Sequence, residues 1–234
     1  MQRTSGYARW AGIHAGETCV AIANGPGLAN IPPGFLQKYP TFACNRFHLF
    51  HERTGFAPTY YVSLALDHYD TPERRAHATP MLESVRGAFI NRLLVHHFPF
   101  DNVESILSGT YYGYSPERRV HWSYEPLDII GIGPSMIYGI MQIAFYMGFT
   151  TMLLVGLDHE YNQQTDRKHF YTDGEAPLWE VAPGPLRTPK QWQAETDHCF
   201  KLAKHAWETA GRRIVNLSKP TACKVFERGR LREW

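Results

Sequence analysis

The residues Asn24-Gly25-Pro26-Gly27-Leu28 follow directly on the apolar run Thr18-Cys19-Val20-Ala21-Ile22-Ala23. Glycines in such a loop let backbone N–H groups approach a phosphate with no Cβ in the way. A helix start behind the loop would add a positive dipole end. The loop is neither G-x-G-x-x-G nor a Walker motif, so it does not specify a dinucleotide or a nucleoside triphosphate. The competing reading is a plain strand-to-helix turn. Asn24 ends one predicted strand and Asn45 ends the next, Thr41-Phe42-Ala43-Cys44-Asn45. Ligands of open α/β sheets sit at the carboxyl ends of strands, and two amide side chains there can read a base or a ribose through donors and acceptors. For Asn45 the alternative role is a helix N-cap.

A second cluster, Gly156-Leu157-Asp158-His159-Glu160-Tyr161, ends the apolar segment Thr151 to Val155. Asp158 can orient a ribose hydroxyl, a metal ion or a loop amide, or serve only as a turn residue. Adjacent strand residues point to opposite faces, so Asp158, His159 and Glu160 do not favour a chelate. In the following loop, Lys168-His169-Phe170-Tyr171 supplies His169 as a candidate general base, since imidazole titrates near neutrality. A solvated loop histidine is the alternative, because the chain has 12 histidines. No nucleophile-elbow pattern surrounds any serine or cysteine.

These residues need a scaffold that brings strand ends together. Strands are predicted over 18–23, 41–45, 59–66, 151–155 and 213–217, and the segment 87–96 reads as a strand or a helix. A short exposed helix is predicted over 72–79. Pro134-Ser135 opens a helix that runs to Met147, with apolar residues on every side and hence deep burial. Gln191 to Ala210 is an amphipathic helix capped by Gly211. Strand, helix, strand at this spacing implies right-handed crossovers and a Rossmann-like, mostly parallel α/β sheet with helices on both faces. One domain spans 1–234. The aromatic-rich, aperiodic stretch around 99–127 reads as an insertion or lid, and 158–189 as a loop over the site.

Composition narrows the partners. A net charge of +2 excludes a bulk nucleic-acid binder. No stretch reaches the roughly 18 apolar residues needed to span a bilayer, and the polar start has no signal-peptide core. A cytoplasmic protein is expected, with peripheral membrane contact and homo-oligomerisation left open. Cys19, Cys44, Cys199 and Cys223 are scattered without a C-x-x-C and read as buried free thiols.

The runs VAIANGPGLANI, FACNRFHLF and MQIAFYMGFTTMLLVGLDHEY resemble the bacterial sialyltransferases of glycosyltransferase family 42. They resemble still more closely the related proteins of bacterial glycan loci grouped with the 6-hydroxymethylpterin pyrophosphokinase-like (MptE-like) proteins. The likeness covers the first strand to about Asp158, with a weaker echo in the last helix and strand. It implies a glycosyltransferase fold of A type, a CMP-activated acidic sugar as donor, a glycan acceptor, inversion at the anomeric carbon and no metal cofactor. It implies that Asn24, Gly25, Pro26, Gly27, Asn45 and Ser135 hold the nucleotide, that Tyr161 supports the departing phosphate, and that His169 is the base, with Asp158 beside them. Three departures stand out. Gly27 replaces the family's usual serine, Met136 falls at the family's helix-start serine with Ser135 next to it, and Glu160 falls at the phosphate-supporting tyrosine. The alternatives are a pyrophosphokinase moving diphosphate from ATP to a pterin alcohol, which needs Mg²⁺ held by carboxylates, and a nucleotide-binding protein without catalysis.

Overall fold

The computed structural model describes residues 7–66, 69–107, 121–160, 169–171 and 188–234. Eight strands form one sheet: β1 (Thr18–Ile22), β2 (Thr41–Cys44), β3 (Tyr60–Ser63), β4 (Gly87–Asn91), β5 (Val103–Ile106), β6 (Thr151–Val155), β7 (Arg213–Asn216) and β8 (Glu227–Arg228). Their order is β5-β4-β3-β2-β1-β6-β7-β8, and every neighbouring pair is parallel. The helices are α1 (Pro33–Leu36), α2 (His48–Thr54), α3 (Pro72–Ser84), α4 (Met136–Tyr146) and α5 (Pro189–Thr209).

Period-two alternation divides the strands between two cores. Cys19, Ala21, Phe42, Tyr60, Met152 and Leu154 face α4 and α5. Val20, Ile22, Ala43, Tyr61, Leu153 and Val155 face the side that buries Phe35, Phe47 and Met81 of the earlier helical segments. Strands buried on both faces read as continuous apolar runs, which is why β1 and β6 are visible in the sequence. The expected α/β sheet with helices on both faces is therefore what the chain builds.

The strand order has one reversal. The chain steps outward from β1 to β5, then returns through α4 to place β6 against the other side of β1, with Ile22 opposite Val155. The connections that leave β1 and β6 therefore belong to different crossovers, and this is the topological switch point at which open α/β sheets usually place their ligand crevice.

Several boundaries differ from the sequence expectation. The segment 99–127 is not wholly aperiodic, because it contains β5. The inward positions of β5 are Glu104 and Ile106, and the carboxylate hides the apolar alternation. Glu104 is accommodated by Trp10, whose Nε1–H donates to Oε1 at 2.8 Å, and by Arg9. The 87–96 segment is a strand only to Asn91, whose amide donates to the Leu64 carbonyl and accepts from the Leu93 amide. The predicted 72–79 helix continues through Pro80 to Ser84. Helix α5 starts at Pro189 behind a Thr188–Gln191 capping box. The two-residue β8 and the short helices α1 and α2 carry too few residues for a period to show.

Helix α4 is deeply buried, as its composition predicts, with every residue from Ile137 to Ala144 inside. Its one buried amide, Gln142, is fully engaged. Oε1 accepts from the amides of Ser123 and Gly131, and Nε2 donates to the carbonyls of Gly131 and Tyr138. The three bonds to Ser123 and Gly131 fix the segment leading into the N-terminus of α4, and the fourth stays within the helix. Among the described residues, no helix is long and apolar enough to cross a membrane.

Candidate functional site

The carboxyl ends of β1, β2 and β6 are tied together by side chains. Asn24 Nδ2 donates to the Cys44 carbonyl at 3.1 Å, linking the first strand end to the second. Asp158 Oδ2 accepts from the Gly27 amide at 2.8 Å, linking the first to β6. The Phe170 amide donates to the Asn24 carbonyl at 2.9 Å, which brings His169 beside the same loop. Thus Asn24, Gly25, Pro26, Gly27, Asn45, Asp158 and His169, separated by up to 145 positions in the sequence, meet at one edge of the sheet. Ser135 stands at the start of α4 with no side-chain capping bond. A crossover helix runs antiparallel to its strands, so this N-terminus lies at the same edge. Tyr161 lies outside the described residues, as do 108–120 of the expected lid and 161–168 and 172–187 of the expected loop.

The Gly-Pro loop is built differently from a phosphate cradle. The Gly25 amide donates to the Gly156 carbonyl, the Gly27 amide to Asp158, and the Leu28 amide to the Gly25 carbonyl. Pro26 has no N–H to give. The amides that a phosphate would use are already engaged. The reason for a glycine at 27 is also visible. A Cβ there would lie 2.6 Å from Asp158 Oδ1, so the serine usual in the resembling family would collide with the carboxylate. Gly156 is required by its own backbone, at φ +66, and by the Ala23 carbonyl, 2.4 Å from where its Cβ would be.

What the crevice leaves open is a set of acceptors. Asn24 Oδ1, Asn45 Oδ1 and Asp158 Oδ1 are buried and have no hydrogen-bond partner among the described residues. The orientation of the Asn24 amide follows from its neighbour, since the Cys44 carbonyl can only accept and must face the NH₂ group. Each buried polar atom left unpaired costs about 1–3 kcal/mol, so three at adjacent strand ends are a deficit that a hydrogen-bond donor would relieve. Asn45 is also held in the left-handed region at φ 56, with its carbonyl accepting from the Tyr61 hydroxyl. Asparagine tolerates that region better than most residues. It sits at the start of a 3-10 turn and caps no helix. Burial raises the pKa of Asp158, opposed by the Gly27 amide.

The neighbouring His159 lies at the candidate site, and spacing alone did not rank it. It has φ 55 and a fully buried side chain, and Nε2 lies 2.8 Å from Asp197 Oδ1 on α5. Burial lowers its pKa, against the pull of Asp197. The backbone around it is clamped as well: Ser218 Oγ accepts from the Leu157 amide, and the Asp158 carbonyl accepts from the Ala222 amide. Gln142 and Asp197 were missed because each acts on a segment distant in sequence. The His169 ring stacks on Tyr171 at 4.8 Å and 2°, and the Arg46 guanidinium lies 5.7 Å from the Tyr171 ring centre. The four cysteines are free and buried. Burial pushes Cys44 and Cys199 up to about 12 and raises Cys19 and Cys223, so none is a thiolate nucleophile.

Fold and crevice together define a doubly wound, Rossmann-like α/β protein whose candidate ligand site lies at the switch between β1 and β6. Three glycosyltransferases are among the solved structures that share this fold. The sialyltransferase CstII from Campylobacter jejuni, in complex with the substrate analogue cytidine-5'-monophosphate, matches at TM-score 0.57 and 12% identity, over 91% of this chain and 84% of that one. The monofunctional α-2,3-sialyltransferase Cst-I from the same organism matches at TM-score 0.50 and 14% identity, over 88% and 78%. The MAf glycosyltransferase from Magnetospirillum magneticum matches at TM-score 0.57 and 12% identity, over 97% of this chain but 38% of that protein. No protein-family profile and no curated protein sequence matches the chain.

Proposed function

We propose that the chain is an inverting glycosyltransferase that takes a CMP-sugar donor and passes an acidic sugar to a hydroxyl of a glycan acceptor. The observation that carries this reading is the row of unpartnered acceptors, Asn24 Oδ1, Asn45 Oδ1 and Asp158 Oδ1, at the switch crevice. A nucleoside offers complementary donors in its ribose hydroxyls and the exocyclic amine of cytosine. The same fold in CstII is reported with cytidine-5'-monophosphate, which supports this choice of base. With the loop amides engaged, and the Tyr138 amide donating to the Ser135 carbonyl, the single phosphate falls to the Met136 and Ile137 amides that open α4 beside Ser135, where the helix dipole favours an anion. Tyr161 adds a hydroxyl to that oxygen as charge develops.

In the reaction, the His169 imidazole takes the proton of the acceptor hydroxyl. The oxygen attacks the anomeric carbon on the face opposite the phosphate, the bond to the phosphate oxygen breaks, and CMP departs. One phosphate charge can be met by amides and hydroxyls, so no metal cofactor is assigned. The test is release of CMP from a CMP-sugar in the presence of excess EDTA. Turnover is expected to persist, and CMP is expected to raise the melting temperature more than ATP with Mg²⁺. His169→Ala is expected to lower turnover by about two to four orders of magnitude with nucleotide affinity near wild type. Strict Mg²⁺ dependence with a preference for ATP overturns the proposal in favour of pyrophosphokinase chemistry.

A further inference from the structure

Among the described residues, the large apolar side chains left exposed are Leu66, Leu93, Leu107, Tyr124 and Ile129. Leu66, Leu93 and Leu107 follow the carboxyl ends of β3, β4 and β5 in turn. These strands are neighbours, and hydrogen bonds carry the row from one to the next. The Asn91 side chain donates to the Leu64 carbonyl, the Arg92 amide to the Ile106 carbonyl and the Ile130 amide to the Leu107 carbonyl, so Ile129 ends the row. Adjacent strands lie about 4.8 Å apart, so the row begins about 10 Å from β1. Single exposed leucines are ordinary, but a contiguous row marks an interaction surface. Leu93 is 65% exposed, and its turn is firmly held. The Asn91 side-chain oxygen accepts from the Leu93 amide and the Asn91 carbonyl from the Leu94 amide, which buries Leu94 and turns Leu93 outward. A side chain presented on a fixed turn loses little freedom on docking, and one that projects this far suits a broad apolar partner better than a narrow ligand.

On the other side of the β1–β6 switch the same edge is basic. Lys219 and Lys224 are exposed in the loop that leaves β7, and the Ala222 amide between them donates to the Asp158 carbonyl. Neither this loop, 217–226, nor the 92–97 turn, which adds the exposed Arg92, contains an acidic residue. Projecting apolar side chains with basic residues beside them match an anionic bilayer. The leucines enter the boundary between headgroups and acyl chains, and the cations meet the lipid phosphates. We infer that the carboxyl edge of the sheet is a docking face for an anionic lipid surface, held by Leu66, Leu93, Leu107 and Ile129 on one flank and by Lys219 and Lys224 on the other, with the candidate site between them. Such docking goes beyond the transferase reading and depends on no donor.

The experiment is flotation of the full chain with vesicles of phosphatidylcholine alone and of phosphatidylcholine mixed with phosphatidylglycerol, at low and high salt. The variants are Leu93→Ser, Lys219→Ser, Lys224→Ser and, as a control at the amino end of β2, Lys38→Ser, whose side chain is also exposed. Thermal unfolding of each confirms the fold, which substitutions at exposed positions leave intact. Wild type is expected to bind the mixed vesicles more tightly than the neutral ones. Leu93→Ser should lower the partition coefficient about 3- to 10-fold, part of the effect of burying a whole leucine. Each lysine variant should lower it about fivefold at low salt and less at high salt, and Lys38→Ser should leave it unchanged. Failure of wild type to bind the mixed vesicles overturns the inference. So does binding that the Leu93 and lysine variants leave unchanged, or a wild-type dimer in sedimentation equilibrium that Leu93→Ser splits, since a second copy would then cover the row. Vesicle binding without transfer from a CMP-sugar leaves the docking face standing and removes the transferase reading. Transfer without vesicle binding removes the docking face alone.

Discussion

Gly27→Ala tests how the two switch strands are joined. The backbone at 27 is not in the left-handed region, so alanine is compatible with it and should by itself stabilise by about 0.4–1 kcal/mol through the unfolded chain. The new Cβ, however, would sit 2.6 Å from Asp158 Oδ1. That contact cannot be kept, and the carboxylate must rotate away and give up the 2.8 Å bond from the Gly27 amide. Losing a hydrogen bond to a charged acceptor costs about 1.5–3 kcal/mol, and crowding in a packed region about 1–3 kcal/mol. After the entropic gain, a net loss of about 2–4 kcal/mol is expected, or about 5–15 °C in melting temperature for a domain of this size. The assay is denaturant unfolding of wild type, Gly27→Ala, Asp158→Ala and the double variant. In the Asp158→Ala background the clash is absent, so the same substitution should cost less than about 1 kcal/mol or become stabilising, a coupling of about 1–3 kcal/mol. The reasoning fails if Gly27→Ala lies within about 0.5 kcal/mol of wild type, or if its cost is the same in both backgrounds.

Two further predictions separate binding from structure. Asn45→Gly keeps the left-handed backbone at φ 56 and should weaken nucleotide binding while leaving the melting temperature nearly unchanged. Asn91→Ala, which loses bonds to Leu64 and Leu93, should cost about 1–3 kcal/mol of stability with nucleotide affinity intact; equal affinities for the two variants would remove Asn45 from the site. His159 should make the fold acid-sensitive. Its pKa is lowered by burial, so the unfolded chain takes up the proton first. Its contribution is fully present above the unfolded value of about 6.5 and is lost as pH falls through the lower folded pKa. Unfolding titrations between pH 7.5 and 5 should therefore show a shallower acid loss for His159→Gln than for His77→Gln, whose side chain is half exposed; identical slopes would refute this.

The buried strands β1 and β6, the apolar helix α4, the thiols and the strand-end positions of Asn24, Asn45 and Asp158 were legible in the chain itself. Those features are local. A strand buried on both faces must be a short apolar run, a helix buried all round must be apolar all round, and a polar residue that ends such a run must lie at the sheet edge. Strand β5 was not legible, because its inward carboxylate is answered by Trp10 and Arg9 from more than 90 residues away. Nor could periodicity rank His159, whose partner Asp197 is on another element, or Gln142, whose bonds hold two loops. The role of the Gly-Pro loop also lay beyond the sequence. Its composition suits a phosphate cradle, yet whether its amides are free depends on what lies opposite. Only the tertiary fold places Gly156 and Asp158 there, turning a donor loop into the wall of an acceptor-lined crevice.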